Sequence, residues 1–143
     1  MANEVALTAA QIALVDPHKA TVKDYIAGAA ITKGQLVAMD TDGTIDPADG
    51  SDTTYLLNQC KGVALNAGGA GQAISVLEDG ECYGFTVSAL NAGALLYVHD
   101  TAGVMSTAAG TKTFIVGRVT ALADKAATKV VRIQINQAQA LAT

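Results

Sequence analysis

An internal repeat constrains this chain more than any other feature. The segment Gly34-Gln-Leu-Val-Ala-Met-Asp-Thr-Asp-Gly43 returns as Gly93-Ala-Leu-Leu-Tyr-Val-His-Asp-Thr-Ala-Gly103, with one inserted residue. Two further segments return in the same order: Gly62-Val-Ala-Leu65 as Gly117-Arg-Val-Thr120, and Ile74–Leu77 around Lys129–Arg132. The repeated residues are those of strands and turns, and no polar residue suited to catalysis repeats with them. The repeat therefore favours a structural scaffold.

The fold class follows from what one copy of the repeat lacks. Each copy, about 31–78 and about 90–135, offers short strands with one apolar face, and one copy alone cannot bury that face. Short runs separated by Gly and Asp turns are typical of all-β domains. We predict a small β-barrel or sandwich built from two pseudo-repeated strand sets.

The element boundaries can also be predicted. We expect strands at 21–27, 35–39, 55–65, 73–77, 81–87, 94–98, 113–121 and 128–135. We expect turns at Asp40–Gly43, Asn66–Gly71, Asp79-Gly80 and Thr101–Gly103, because Gly and Asp favour turns. A short helix is expected at Ser88–Leu95, and a weak helical turn at Thr8–Leu14.

The ends of the chain differ from its middle. Residues 1–18 have no glycine-marked turns, and they are predicted to form an arm, in which Asp16-Pro17 ends the weak helical turn. Residues 19–135 form the predicted domain, and residues 136–143 a loose tail. The apolar residues of the arm are the candidate binding residues, and the alternative is a first strand on the domain's own sheet: Val5, Leu7, Ile12, Leu14 and Val15.

Composition narrows the function classes. The chain has 143 residues, enough for one domain, and only 4 % aromatic residues, so its core is predicted to be thin and aliphatic. Charged residues are 15 %, against roughly 25 % in ordinary soluble domains, which indicates a surface that is partly covered in use. The net charge of −4 without a basic run argues against nucleic acid. We expect neither a secretory signal nor a membrane-spanning segment.

Candidate reactive groups are sparse. Asp40-x-Asp42-Gly43-x-x-Asp46 resembles a calcium loop, but it lacks the third ligand before the glycine and the later glutamate, so a hairpin turn is favoured. The glycines of Gly68–Gly71 precede a strand, whereas a phosphate-binding loop precedes a helix. His18, Cys60, Cys82 and His99 have no paired metal-ligand spacing. We predict no enzyme activity, no cofactor and no metal, and two buried cysteines that remain thiols.

Four segments carry a resemblance to a known family: Ala27-Gly-Ala-Ala-Ile-Thr-Lys-Gly-Gln-Leu-Val37, Gly62-Val-Ala-Leu-Asn-Ala67, Leu90-Asn-Ala-Gly-Ala-Leu-Leu-Tyr97 and Ile115-Val-Gly-Arg-Val119. Together they resemble the capsid decoration proteins of tailed bacteriophages, also called cement or head-stabilising proteins, over roughly residues 20–135. The resemblance implies a β-barrel-like domain, commonly a homotrimer, made in the host bacterial cytoplasm. It also implies a place on the exterior of the virion, bound to the major capsid protein of the expanded shell.

Two other functions fit the same pattern. A tail-tube or fibre-base module, or a bacterial surface binding module, follows the same logic of repeated β-structure. A small β-barrel hydrolase requires acidic residues clustered in a cleft. A decoration protein is distinguished by a small soluble oligomer that adds to preformed expanded heads.

The aspartate turn yields a first test. We expect excess EDTA to leave the melting temperature unchanged, because a hairpin turn needs no cation. Calorimetry with and without the chelator measures this, and a fall of several degrees would show that Asp40, Asp42 and Asp46 hold an ion.

Overall fold

The computed structural model describes residues 9–52, 57–87, 90–122 and 125–136. It is almost entirely β, with 52 % strand and no α-helix in these residues, and its antiparallel sheet curls into a half-barrel. This confirms the predicted all-β class. The strands are β1 Ala9–Leu14, β2 Thr21–Ile26, β3 Leu36–Met39, β4 Ile45–Pro47, β5 Cys60–Ala64, β6 Ala73–Phe85, β7 Leu95–Val98, β8 Met105–Ser106, β9 Ile115–Leu122 and β10 Lys125–Gln134.

The strand order reflects the repeat. Along the sheet the order is β4-β3-β5-β6-β10-β9-β7-β8, which reads as one four-strand set followed by the same set reversed. We call β3, β4, β5 and the first half of β6 the first unit, and β7 to β10 the second unit. Strands β1 and β2 lie outside this order, and each pairs with β6.

The strand register confirms the repeat residue by residue. In the first unit Leu36 pairs with Val63, and in the second Leu95 pairs with Arg118. The register then shifts at the same place in both units, so that Ala38 pairs with Cys60 and Tyr97 with Ile115. Two strand pairs that share even an irregularity have the same local geometry.

The repeated glycines Gly62 and Gly117 have a steric cause. A Cβ at Gly62 would lie against the carbonyl oxygen of Leu77, and one at Gly117 against that of Arg132. The backbones of the paired strands therefore approach too closely at these points for any side chain.

Strand β6 differs from the prediction at its middle. The Asp79-Gly80 signal is not a turn, because β6 continues through it for 13 residues. The irregularity is a bulge instead: Thr21 of β2 pairs with Asp79 and Val22 with Leu77, which leaves Glu78 as the extra residue. The bulge shifts the alternation of side chains along β6, and Leu77 and Cys82 consequently share one core although they are five residues apart.

Other boundaries were also wrong. Residues 9–14 form β1 instead of a helical turn, because pairing with β6 outweighs a weak local preference. The short β4 and β8 were missed, and β10 begins at Lys125, earlier than predicted. Residues 90–94 form turns and not a helix, whereas residues 88–89 and the predicted tail from 137 lie outside the described residues.

The two ends of the sheet meet through main-chain hydrogen bonds. The N–H of Leu36 donates to the carbonyl of Gly103 (3.0 Å), and the N–H of Gly103 donates to that of Ala48 (2.6 Å). The N–H of Gly50 donates to the carbonyl of His99 at 2.9 Å. These bonds hold the curled shape around the core.

Two apolar clusters fill the interior. The main core takes side chains from both units, including Leu36, Val63 and Leu77 of the first and Leu96 and Ile133 of the second. The second cluster lies on the other face of the first unit. Its members are Ala27, Ile31, Val37, Ile45, Ala64, Ile74 and Val76.

The paired glycines allow a direct test of the repeat. Gly62→Ala and Gly117→Ala should each lower the free energy of unfolding by about 1–3 kcal/mol, because an added Cβ must push two strands apart. Denaturant midpoints measure this. Gly69→Ala is the control, since the nearest atom to its added Cβ is 3.9 Å away. If Gly62→Ala and Gly117→Ala were as stable as Gly69→Ala, the close approach of the strands at the two glycines would be contradicted, and a loss at only one of them would contradict the equivalence of the two units.

Candidate interaction surface

The sequence-predicted binding residues lie partly on the protein's own sheet. Ile12 is 2 % exposed, and Leu14 packs against the main core opposite Cys82 of β6. The N–H of Val15 donates to the carbonyl of Glu81 at 3.0 Å. Residues 9–15 therefore lie on the protein's own sheet, which is the alternative to a free arm. In this arrangement the Ile12 side chain points into the protein's interior.

Val5 and Leu7 lie outside the described residues. A partner-binding role for the five arm residues stays a prediction. The described part of the chain instead exposes a different surface, which the sequence reasoning missed.

This surface is the outer face of the second unit, formed by Leu95, Tyr97, Ile115, Arg118 and Arg132. The strand register aligns Leu95, Arg118 and Arg132 in one row across β7, β9 and β10. The two arginines are exposed, and the three apolar residues are half-buried. The opposite side chains of the same strands, including Leu96 and Ile133, are 0 % exposed in the main core.

The repeat shows what is unusual about this face. Its five residues correspond in register to Leu36, Ala38, Cys60, Val63 and Leu77 of the first unit. All five counterparts are 0 % exposed and belong to the main core. The same face is therefore covered in the first unit and uncovered in the second.

The physical reason lies in how the units pack. The second unit contributes the Leu96 side of its sheet to the main core, whereas the first unit contributes the opposite side, that of Leu36. The first unit's remaining side, that of Val37, is covered by Ala27 and Ile31. On the corresponding remaining side of the second unit, Val130 is buried, but Leu95, Tyr97 and Ile115 are only partly buried and Arg118 and Arg132 are exposed.

A shallow cavity of about 140 Å³ lies on the outer face. Its walls combine apolar and cationic groups, and they are formed by Leu95, Ile115, Gly117, Arg118, Arg132 and Gln134. Arg132 pairs with Asp79 at 3.2 Å, and both side chains are nearly half exposed, so this ion pair stabilises the fold little. Arg118 donates from Nη1 to the carbonyl of Gly93 at 3.0 Å, which leaves its charge without a carboxylate partner among the described residues.

A second cavity, of about 200 Å³, lies where the ends of the sheet meet. It is lined by residues 32–35, Phe85 and residues 103–105. The Gln35 side chain accepts from the N–H of Thr32 at 2.9 Å and lies close to Gly103. The contacts here are those of a turn at the place where the two ends of the curled sheet meet.

Strand β2 exposes Val22 and Ile26, but its charged side chains are bound to β6. Lys23 lies 3.6 Å from Glu78, whose other carboxylate oxygen accepts from the Tyr25 hydroxyl. Burial, with the neighbouring Glu78 carboxylate, raises the pKa of Tyr25 to about 12. Asp24 accepts from the Ser75 hydroxyl at 2.9 Å. These contacts anchor β2 at the bulge.

The aspartate segment is a hairpin turn between β3 and β4, as predicted. Asp40 accepts from the N–H of Thr41 and Asp42 from that of Thr44, and the hydrogen bonds from Thr44 lower the pKa of Asp42. Burial, with the neighbouring Asp40, raises the pKa of Asp46. The oxygens of Asp40 and Asp42 are thus used to form the turn.

Of the remaining candidates for chemistry, the two cysteines are buried, His99 is part of a turn, and His18 is exposed. Cys60 and Cys82 are buried thiols, as predicted, and burial raises the pKa of each to about 12, which suppresses the reactive thiolate. His99 Nδ1 accepts from the N–H of Thr101 at 2.8 Å. Within the described residues no three His, Cys, Asp or Glu side chains are grouped to hold a metal, and no helix there is long and apolar enough to cross a membrane.

Comparison with protein families, curated proteins and solved structures gave no match. The structure and the sequence therefore carry the functional argument. The signal for the outer face was present in the aligned repeats: Gly62-Val-Ala-Leu65 against Gly117-Arg-Val-Thr120 places an arginine where the first copy has valine. The alignment alone does not show that Val63 lies in the core, and without that fact the arginine does not indicate an uncovered face.

The placement of β1 can be tested on one of its side chains. Ile12→Ala should lower the free energy of unfolding by about 2–5 kcal/mol, because it removes a buried side chain and leaves a cavity. Val22→Ala is the matched control on β2, where the side chain is 39 % exposed, and it should lower the free energy by less than about 1 kcal/mol. Denaturant unfolding measures both, and equal losses would show that Ile12 is not a core residue.

Proposed function

We propose that this protein is a capsid decoration protein of a tailed bacteriophage. It binds the outer surface of the expanded shell, bridges neighbouring capsomers and stabilises the head without catalysing a reaction. Its partners are the major capsid protein and further copies of itself, in a homotrimer, and its place is the exterior of the virion.

One observation carries the proposal: a duplicated β-scaffold that leaves uncovered, on its second unit, the face that its first unit buries. An uncovered sheet face with half-buried apolar groups is a surface suited to a protein partner. The two cysteines, in contrast, are buried, and Asp40 and Asp42 accept hydrogen bonds within a turn.

The segments that carry the family resemblance support the same proposal. Gly34 and Gly93, which precede β3 and β7, both have φ of +91°, a conformation that favours glycine. Gly62 and Gly117 lie at the close approaches in β5 and β9. The resemblance thus falls on the residues that shape both units, and it is a resemblance of scaffold.

The physics of a shell suits such a scaffold. Many identical copies act on one lattice, and an oligomer that binds several sites gains from effective concentration. A protein that binds the expanded shell and not its precursor stabilises the expanded state by mass action. At a free concentration 100 times the Kd, this stabilisation is about 2.7 kcal/mol for each site.

The test uses purified protein with expanded, undecorated heads, and with precursor shells as the control. We expect extra density at fixed lattice positions on expanded heads alone, seen by electron cryomicroscopy, and a higher temperature of head disruption. Absence of binding to expanded heads would contradict the proposal. Rings or tubes formed by the protein alone would favour a tail-tube module.

A further inference from the structure

We infer that the outer face of the second unit is the surface through which this protein contacts the shell. Its occupant is a β-structured segment of the shell protein that presents a large apolar side chain beside a carboxylate. This inference rests on the proposed function and names the surface by which that function is carried out.

The first unit of the same chain shows how such a face is covered. In the first unit, the five counterparts of this face pack against another β-unit, with Leu36, Val63 and Leu77 fully buried. The backbone of the second unit has the same register and the same irregularity. The outer face therefore already has the shape that, in this same protein, receives a second layer of β-structure.

The residues of this face differ from their counterparts in the first unit. Apolar groups are present at three of the five positions, as Leu95, Tyr97 and Ile115, and they are half-buried. The other two positions have changed from valine and leucine to Arg118 and Arg132. A face with an apolar side and a cationic side is matched by a partner with an apolar group and an anionic group.

The two arginines of this face also favour an anionic partner. Arg118 and Arg132 lie directly opposite each other on neighbouring strands, an arrangement that is unfavourable for like charges. Asp79 compensates Arg132, whereas Arg118 reaches only a main-chain carbonyl among the described residues. A carboxylate from a partner would compensate the second arginine of the pair.

A second copy of the chain fits this face less well. Within the protein, a face of this kind packs against the Leu96 side of the second unit. In a second copy, the matching side of the first unit is the Val37 side, which Ala27 and Ile31 already cover. The edge of β2 is a weaker candidate for the shell contact, because Lys23 and Asp24 are charged, and charged side chains on an edge strand disfavour pairing with a further strand.

The experiment compares Arg118→Glu with Lys33→Glu in binding to expanded, undecorated heads. Both changes reverse one exposed positive charge, so Lys33→Glu controls for the change in net charge. Lys33 lines the cavity where the ends of the sheet meet, so the same variant also tests whether that cavity contacts the shell. Arg118→Glu places a carboxylate opposite Arg132, so we expect the fold to be retained, which thermal unfolding checks. Light scattering on the free proteins measures their oligomeric state.

We expect Arg118→Glu to bind heads at least tenfold more weakly than the parent protein, and Lys33→Glu to bind as the parent does. Parent-like binding of Arg118→Glu would overturn this surface and leave the proposed function intact. A smaller oligomer of Arg118→Glu would assign the face to a contact between copies and overturn the inference. Failure of the parent protein itself to bind heads would overturn the proposed function, and the inference with it.

Discussion

The packing of two like units through unlike faces is the interaction on which the rest of this structure depends. The Leu36 side of the first unit meets the Leu96 side of the second in one main core. Because the units contribute opposite sides to this core, the other side of each unit must be covered by a different segment or carry residues that tolerate water. Ala27 and Ile31 cover one remaining side, and on the other, arginines stand at two of the positions that are apolar in the first unit.

Packing through the same face of both units would have buried the same positions of the repeat in each. The sequences of the two units would then not need to diverge on either side. Here Val63 and Leu77, which are buried in the first unit, correspond to the exposed Arg118 and Arg132, whereas Val37 and Leu96 on the opposite face are both apolar and buried. A large uncovered apolar face promotes unwanted association, and charge on that face limits it while leaving room for a complementary partner.

Much of the fold was open to prediction because it is local. Gly43 and Gly103 have positive φ, and the turns that contain them, Asp40–Gly43 and Thr101–Gly103, were predicted from residue type alone. The bulge at Glu78 was not predictable in this way. An Asp79-Gly80 pair has the composition of a turn, and only the continuous pairing of β6 with β2 and β10 keeps the chain extended through it.

The sequence by itself determined that the chain is all-β, that it is built twice, and that it turns at Asp40–Gly43 and Thr101–Gly103, because these depend on local preferences and on a pattern repeated within the chain. Only the tertiary structure decided that residues 9–14 pair with β6, and which side of each unit is buried. An alternating strand has two sides, and its own residues do not specify which side meets the other unit. That choice is made by contacts between distant segments, and it separates the buried Val63 from the exposed Arg118 at the same position of the repeat.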